Sequence, residues 1–324
     1  MPSQSASQDK PIFLLFDGHA VIYRAYYALP PLTDPSGRIV NAAFGFSRIL
    51  LAALEEFEPE YVAVTFDHPK PTFRHKEFKD YKAHRPEMPD DLQPQIPLVK
   101  EIVDALGIPR FELEGYEADD LIGTVSYYLD HQPEKLGAHQ EILNVIVTGD
   151  KELLQLVDDS THVWIPGRGQ GKDLEYDALL VEEKMGVRPD QVVDMKALMG
   201  DSSDNIPGIK GIGKKTAIKL LEAYQTLDEL FKRVTQLQET GEKDDLLKGA
   251  LLNKLIEGKD SAYMSQDLAR INCQAPIEID LDQCRIESYD KTQAVEIFKQ
   301  LEFHSLLKML PKDEFETNVQ EALF

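Results

Sequence analysis

Ile12-Phe13-Leu14-Leu15-Phe16-Asp17, Val62-Ala63-Val64-Thr65-Phe66-Asp67 and Ile142-Leu143-Asn144-Val145-Ile146-Val147-Thr148-Gly149-Asp150 share one pattern: a short apolar, β-rich run that ends on aspartate. Runs of this length between long helical patterns read as strands buried on both faces of a parallel sheet. Ligands of such sheets gather beyond the carboxyl ends of the strands. Three carboxylates at one sheet edge repel one another, and burial worsens the cost. A positive partner is therefore expected among them, and a divalent metal is the simplest.

Working outward, strands are expected at 12–16, 61–66, 109–112, 142–147 and 162–165. Helices are expected at about 19–28, 43–57, 91–106 and 117–130, with a short one after Asp150. The alternation predicts an α/β fold with a mixed, largely parallel central sheet flanked by helices. The loop 166–172 closes this part. From about 177 the pattern turns helical, with helices expected at 190–199, 214–224, 244–257, 260–270 and 291–309, interrupted by the Gly-rich stretch 207–213. The predicted division is a polar, frayed tail at 1–10, an α/β core at 11–180, a helical domain at 181–310 and a tail at 311–324.

The 324 residues are ample for a large core. No apolar run reaches membrane-spanning length, and the polar start lacks the apolar core of a signal peptide, so a cytoplasmic location is expected. Cys273 and Cys284 are the only cysteines, read as unpaired thiols, and no Cys/His zinc spacing occurs. The net charge is −22, which taken globally argues against nucleic acid. Its distribution says otherwise. Lys70, Arg74, Lys76, Lys79, Lys82 and Arg85 face only Glu77 and Asp80 within 68–85, and Lys210, Lys214, Lys215 and Lys219 meet no acid within 205–221. Two basic islands beside clustered carboxylates point to a polyanionic substrate.

Gly115-Tyr116-Glu117-Ala118-Asp119-Asp120 opens a helix, with Glu117 and Asp120 on one face. Acids in a first helical turn also serve capping and the dipole. Asp150 and Glu152 stand two apart at a strand end. Gly200-Asp201-Ser202-Ser203-Asp204-Asn205 adds two more acids. Together with Asp17, Asp67 and Asp119 these hard oxygen donors suit Mg²⁺ or Mn²⁺. Their number suffices for two ions and surrounding ligands, an arrangement suited to phosphodiester cleavage.

Gly208, Gly213 and Lys214 nearly match a P-loop, but Lys215 stands where Ser or Thr is required and no strand leads in, so NTP binding is disfavoured. Gly208, Gly211 and Gly213 instead permit close approach of a DNA phosphate, with Lys214, Lys215 and Thr216 at the start of the next helix. Such contacts are independent of base sequence. Lys82 and Arg85 are placed to face one phosphate, with Arg74 and Tyr81 beside them. Tyr23 and Arg24 follow Asp17 on a helix, where aromatic stacking on a base and plain core packing are both open. His19 is expected to be a local hydrogen-bonder.

These motifs occur in the order found in a known family. The chain resembles the 5′–3′ exonuclease domain of bacterial DNA polymerase I, in the flap endonuclease family, over roughly residues 11–310. The resemblance implies a PIN-like nuclease core and a helix-hairpin domain (about 200–222) that grips duplex DNA, with K⁺ a possible ligand of the hairpin backbone. It implies two Mg²⁺ ions, for which Mn²⁺ substitutes. The first is held by Asp17, Asp67, Glu117 and Asp119 with Asp120 nearby, the second by Asp150, Glu152, Asp201 and Asp204. Lys82 and Arg85 lie at the base of an arch (about 70–95) through which the 5′ strand passes, and neutralise the scissile phosphate. The implied substrates are 5′-flapped, nicked or gapped duplexes and RNA-primed strands, cut in replication and repair by a monomer that has a polymerase as its partner or continuation. The chain departs from the family pattern at Glu152, where Asp is usual. The added methylene moves the carboxylate outward, and an outer-shell contact to the second ion is expected. A non-catalytic DNA-structure-binding module, an aspartate phosphatase and a PIN-type ribonuclease are the rival readings. The intact acids disfavour the first. His19, standing where the phosphatase needs a second Asp, disfavours the second, and the long helical domain the third.

Overall fold

The computed structural model describes residues 10–167, 171–286 and 291–311, so most of both expected tails lies outside the described residues. The first strand β1 (Ile12–Asp17) is followed by α1 (Gly18–Ala28), α2 (Asn41–Phe57), β2 (Tyr61–Thr65), α3 (Phe73–Glu77), α4 (Gln95–Ala105), β3 (Arg110–Phe111), α5 (Ala118–His131), β4 (Leu143–Val147), β5 (Thr161–Ile165) and β6 (Leu174–Tyr176). The helical part contains α6 (Ala178–Met185), α7 (Val192–Met199), α8 (Lys214–Tyr224), α9 (Leu227–Thr240), α10 (Gly249–Ala269) and α11 (Lys291–Gln300).

The sheet order is β3-β2-β1-β4-β5-β6, parallel except for the edge strand β6, which runs antiparallel to β5. Side chains alternate across it as a period of two requires. Phe13, Leu15, Ala63 and Ile146 enter one apolar cluster with α5, and Leu14, Phe16, Val62, Val64, Val145 and Val147 enter another with α2 and α4. Burial on both faces is why these strands read as continuous apolar runs. The order of connection reverses between β1 and β4, and the crevice that opens beyond the carboxyl ends at such a switch point is where ligands of open α/β sheets bind. β2, β1 and β4 are adjacent, so Asp67, Asp17 and Asp150 arrive at one edge.

Three expectations are corrected. Residues 249–269 form one unbroken helix in place of two, with Gly258 inside it at the point where Ile209 packs into the space a side chain would take. The strand β6 and the helices α3, α6 and α9 were not anticipated; β6 has only three residues and α3 five, too few to carry a pattern. The segment 291–310 does not extend the helical domain. Ala294, Phe298, Leu301, Phe303, Leu306 and Leu310 pack into the α2–α4 side of the sheet, and the backbone N–H of Ile286 pairs with the Glu60 carbonyl at the head of β2. The helical domain shares the other cluster with the core through Leu198, Ile209, Leu220 and Leu255.

Candidate metal centre

Asp17 ends β1 and caps α1, accepting the Ala20 N–H at 3.0 Å through Oδ1 and the Thr148 hydroxyl at 2.8 Å through Oδ2. Burial, and then the neighbouring Asp67, push its carboxyl up to about 7. Asp67 caps α5 by accepting the Ala118 N–H at 2.8 Å, and its own N–H donates to His19 Nδ1 at 3.0 Å. The imidazole is thus a hydrogen-bonder, though across to the end of β2 and not locally, and burial holds it below its ordinary range. Carboxylate oxygens of Asp119, Asp150 and Glu152 lie within 4.8 Å of one another. At that spacing each ionised pair costs about 3 kcal/mol at an effective dielectric near 20. Burial, with Asp17 and Asp150 adding repulsion, drives Asp119 well above the carboxylate range. Glu152 is pushed up to about 7 by burial, against the opposing pull of Lys196.

Glu152, Asp201 and Asp204 meet cations instead. Lys196 of α7 pairs with Glu152 and, at 2.9 Å, with Asp201 Oδ2. Burial alone would raise Asp201, but Lys196 and hydrogen bonds from Ser203 hold it down at about 2. Asp204 Oδ1 accepts from Arg85, while its buried Oδ2 has no hydrogen-bond partner among the described residues and lies 3.8 Å from Lys82 Nζ. Lys82 also donates to Glu117 at 2.9 Å. Its backbone sits at φ +55, in the left-handed region that disfavours a side chain, fixed by an N–H bond to the Asp204 carbonyl. Asn205, also left-handed at φ +57, returns a bond to the Asp80 carbonyl. The expected arch is therefore docked on the loop 201–206, with Phe78 and Tyr81 packed beside Val193, Ile206 and Leu268.

Two adjoining cavities, of about 390 Å³ and 710 Å³, share Gly149, Asp150 and Ser203. The first is lined by Asp17, Asp67, Glu117, Asp119, Lys82 and Arg85, with Tyr23, Arg24 and the exposed Tyr27 beside them. The second is lined by Glu152, Lys196, Asp201 and Lys214.

Several sequence expectations change. Asp120, expected near the first ion, is fully buried and bound bidentately by Arg74 at 2.8 and 2.9 Å; its oxygens also accept the N–H groups of Glu117 and Asn272. Arg74, expected on DNA, spends its remaining donors on the Leu268 and Arg270 carbonyls and is buried. This pair is a cross-link between core and helical domain, satisfied because two buried charges need each other and every remaining lone pair filled. Tyr81, also expected on DNA, is 3% exposed and donates to Glu117. Gly208 is likewise structural. At φ +59 a Cβ there would stand 2.1 Å from the Gly200 nitrogen, while its N–H meets Ser265 and its carbonyl accepts from Ser261. The Gly211 carbonyl accepts from Lys254. Gly213 alone of the three has open space around it, before the exposed Lys214 and Lys215 and the half-buried Thr216. Arg24 donates to the Pro166 carbonyl. Sequence reading missed Lys196 and Thr148. A signal for Lys196 existed: it is one of two charged residues in the otherwise apolar Val192-Val193-Asp194-Met195-Lys196-Ala197-Leu198, five residues before Asp201.

Comparison with known proteins gives the class first. Residues 12–186 match the family model described as the 5′–3′ exonuclease N-terminal resolvase-like domain, and residues 187–292 match its C-terminal SAM fold. The chain belongs to the 5′–3′ exonuclease family. Among its relatives, DNA polymerase I of Bacillus subtilis (strain 168) is 41% identical over 310 residues, covering 96% of this chain and 33% of that protein. DNA polymerase I of Caldicellulosiruptor bescii is 43% identical over 303 residues, covering 93% and 34%. The chain spans about a third of the length of these relatives. Among solved structures, the T5 D15 protein co-crystallised with metal ions superposes with TM-score 0.63 at 18% identity, covering 89% of this chain and 99% of that one. The catalytic core of Rad2 in complex with DNA substrate gives 0.57 at 18% identity, covering 93% of each. These likenesses carry the fold. Among the described residues no helix is long and apolar enough to cross a membrane.

Proposed function

We propose that the chain is a structure-specific 5′–3′ exonuclease and 5′-flap endonuclease that cleaves DNA phosphodiester bonds with two Mg²⁺ ions, Mn²⁺ substituting. The observation that carries this reading is the convergence of Asp119, Asp150 and Glu152 where two adjoining cavities meet, the first also lined by Lys82 and Arg85. The donor set fits hard divalent cations: all oxygen, with Asp17 and Asp119 raised by burial and by neighbouring carboxylates, and with Asp204 Oδ2 buried and lacking a hydrogen-bond partner among the described residues. Asp17, Asp67, Glu117 and Asp119 would hold the first ion, and Asp150, Glu152, Asp201 and Asp204 the second. When bound, the ions supply Lewis acidity toward the scissile phosphate and the attacking water.

The chain's own groups bind and orient. Lys82 and Arg85, tied to Glu117 and Asp204 without substrate, would turn to the scissile phosphate as divalent charge takes over those acids. Tyr23 and Arg24 line the approach to the acids, where Tyr23 stacks with Tyr27 and offers a base a platform. Gly213, Lys214, Lys215 and Thr216 would grip duplex phosphates at the start of α8, with K⁺ at the adjoining backbone. The substrates we infer are flapped, nicked or gapped duplexes and RNA-primed strands, met in the cytoplasm during replication and repair. We infer a monomer, acting with or within a DNA polymerase. The test is cleavage of a 5′-flapped duplex with Mg²⁺ and with EDTA. Tight binding without cleavage in Mg²⁺ or Mn²⁺ would favour a non-catalytic DNA-structure-binding module.

A further inference from the structure

Lys196 lies on α7, where every residue from Val192 to Leu198 is buried, and its side chain is only 9% exposed. Its ammonium touches two acids assigned above to the second ion, Glu152 and Asp201, and thus stands where a cation bridging them would stand. Resting on the two-ion reading, we propose that Lys196 is a positioning residue, a tethered counter-ion that holds the place between Glu152 and Asp201 until a divalent ion displaces it. The affinity for the second ion is then set by competition with this ammonium.

The chemistry supports an exchange. Two part-buried carboxylates left side by side without a cation are unfavourable, so the metal-free fold favours a positive charge here. A lysine supplies it on a flexible four-carbon stem, which can withdraw without backbone movement. The adjoining cavity, bounded by Met185, Met195, Met199 and Lys214, leaves room for that withdrawal. Mg²⁺ demands near-octahedral oxygen ligands at about 2.0–2.1 Å and cannot share lone pairs already given to an ammonium. The Glu152 side chain reaches Lys196 while its carboxylate also converges with Asp119 and Asp150, so the ammonium competes at the centre of the acids. Arg85 and Lys82 stand against Asp204 in the same manner, but they are more exposed and belong to the arch.

The test counts bound Mn²⁺ by electron paramagnetic resonance on the whole chain without DNA. The expected wild-type result is one tighter and one weaker ion. Lys196→Met, which keeps the stem and removes the charge, should tighten the weaker ion by about tenfold or more and leave the other unchanged. A second ion that binds more weakly, or equally, in Lys196→Met overturns the proposal, since a lysine that merely orients Asp201 would cost affinity when lost. Should the variant fail to fold without metal, amine acylation of the wild type, read by mass spectrometry, decides. Lys196 should be protected in metal-free protein and several-fold more reactive in saturating Mn²⁺, and unchanged protection overturns displacement. A wild type that binds no Mn²⁺ sinks the two-ion reading as well, whereas two ions indifferent to Lys196→Met sink only this inference.

Discussion

The two halves of the acidic cleft solve the same electrostatic problem in opposite ways. Around Asp17, Asp119 and Asp150 the neighbours are mostly other carboxylates, N–H groups and Thr148, with Lys82 the cation that acts on Asp119, and the raised carboxyls of Asp17 and Asp119 show the cost. Around Asp201 and Asp204 the protein brings Lys196, Arg85 and Lys82, and Asp201 is held low. Glu152 belongs to both, converging with Asp119 and Asp150 while paired with Lys196. The first half is incomplete without an external cation. The second carries its own cations on side chains that ion or substrate must move. The lesson is that acids of one site need not have one role before the ligands arrive.

Removing an acid from the uncompensated half should have the largest effect. Asp119→Asn is expected to abolish cleavage of a 5′-flapped duplex while affinity for it changes little, because this carboxylate stands among other acids, where a divalent ion best offsets its charge. Substantial turnover by this variant would break the division at its foundation. Next in size is Lys82→Ala, expected to cost on the order of 10²–10³ in single-turnover rate, as for a lost donor to developing negative charge. Affinity should fall far less, and equal losses in binding and rate would make Lys82 a docking group only.

Glu152→Ala sharpens the boundary between the halves. It is expected to lose about 10–100-fold in activity, less than Asp150→Ala, because Lys196 competes with the ion for the Glu152 carboxylate. An enzyme as inactive as Asp119→Asn would show that the ion depends on Glu152 as fully as on the uncompensated acids. The smallest effect is on stability in EDTA. Asp17 and Glu152 titrate near 7 when folded and close to 4 when unfolded, so the folded state binds more protons between those values. Stability from these groups is therefore lost as pH rises from about 4 toward 7. Metal-free protein should melt at a higher temperature at pH 5.5 than at pH 8, with the gap closing in Mn²⁺. A higher melting temperature at pH 8 in EDTA would show that the carboxylates are already compensated.

Much of this was legible without coordinates, for physical reasons. A strand buried on both faces must be apolar throughout, so β1, β2 and β4 announced themselves, and their terminal aspartates marked the sheet edge. Helix starts were readable where acids and glycines have few other uses, as at Glu117 and Gly213. What the sequence could not contain is which of several suitable partners each charged side chain meets. Asp120 and Arg74 carry the residue types of a metal ligand and a phosphate contact, yet tertiary packing joins them across core and helical domain, where two buried charges are tolerable only together. Gly208 reads as a phosphate cradle, but the close pass of Gly200 claims its missing Cβ. The return of α11 to the far side of the sheet depends on a groove built from α2 and α4, distant in sequence. Lys196 was one residue of a helix until the fold set it between Glu152 and Asp201, because charge acts through distance in space and a linear pattern records only distance along the chain.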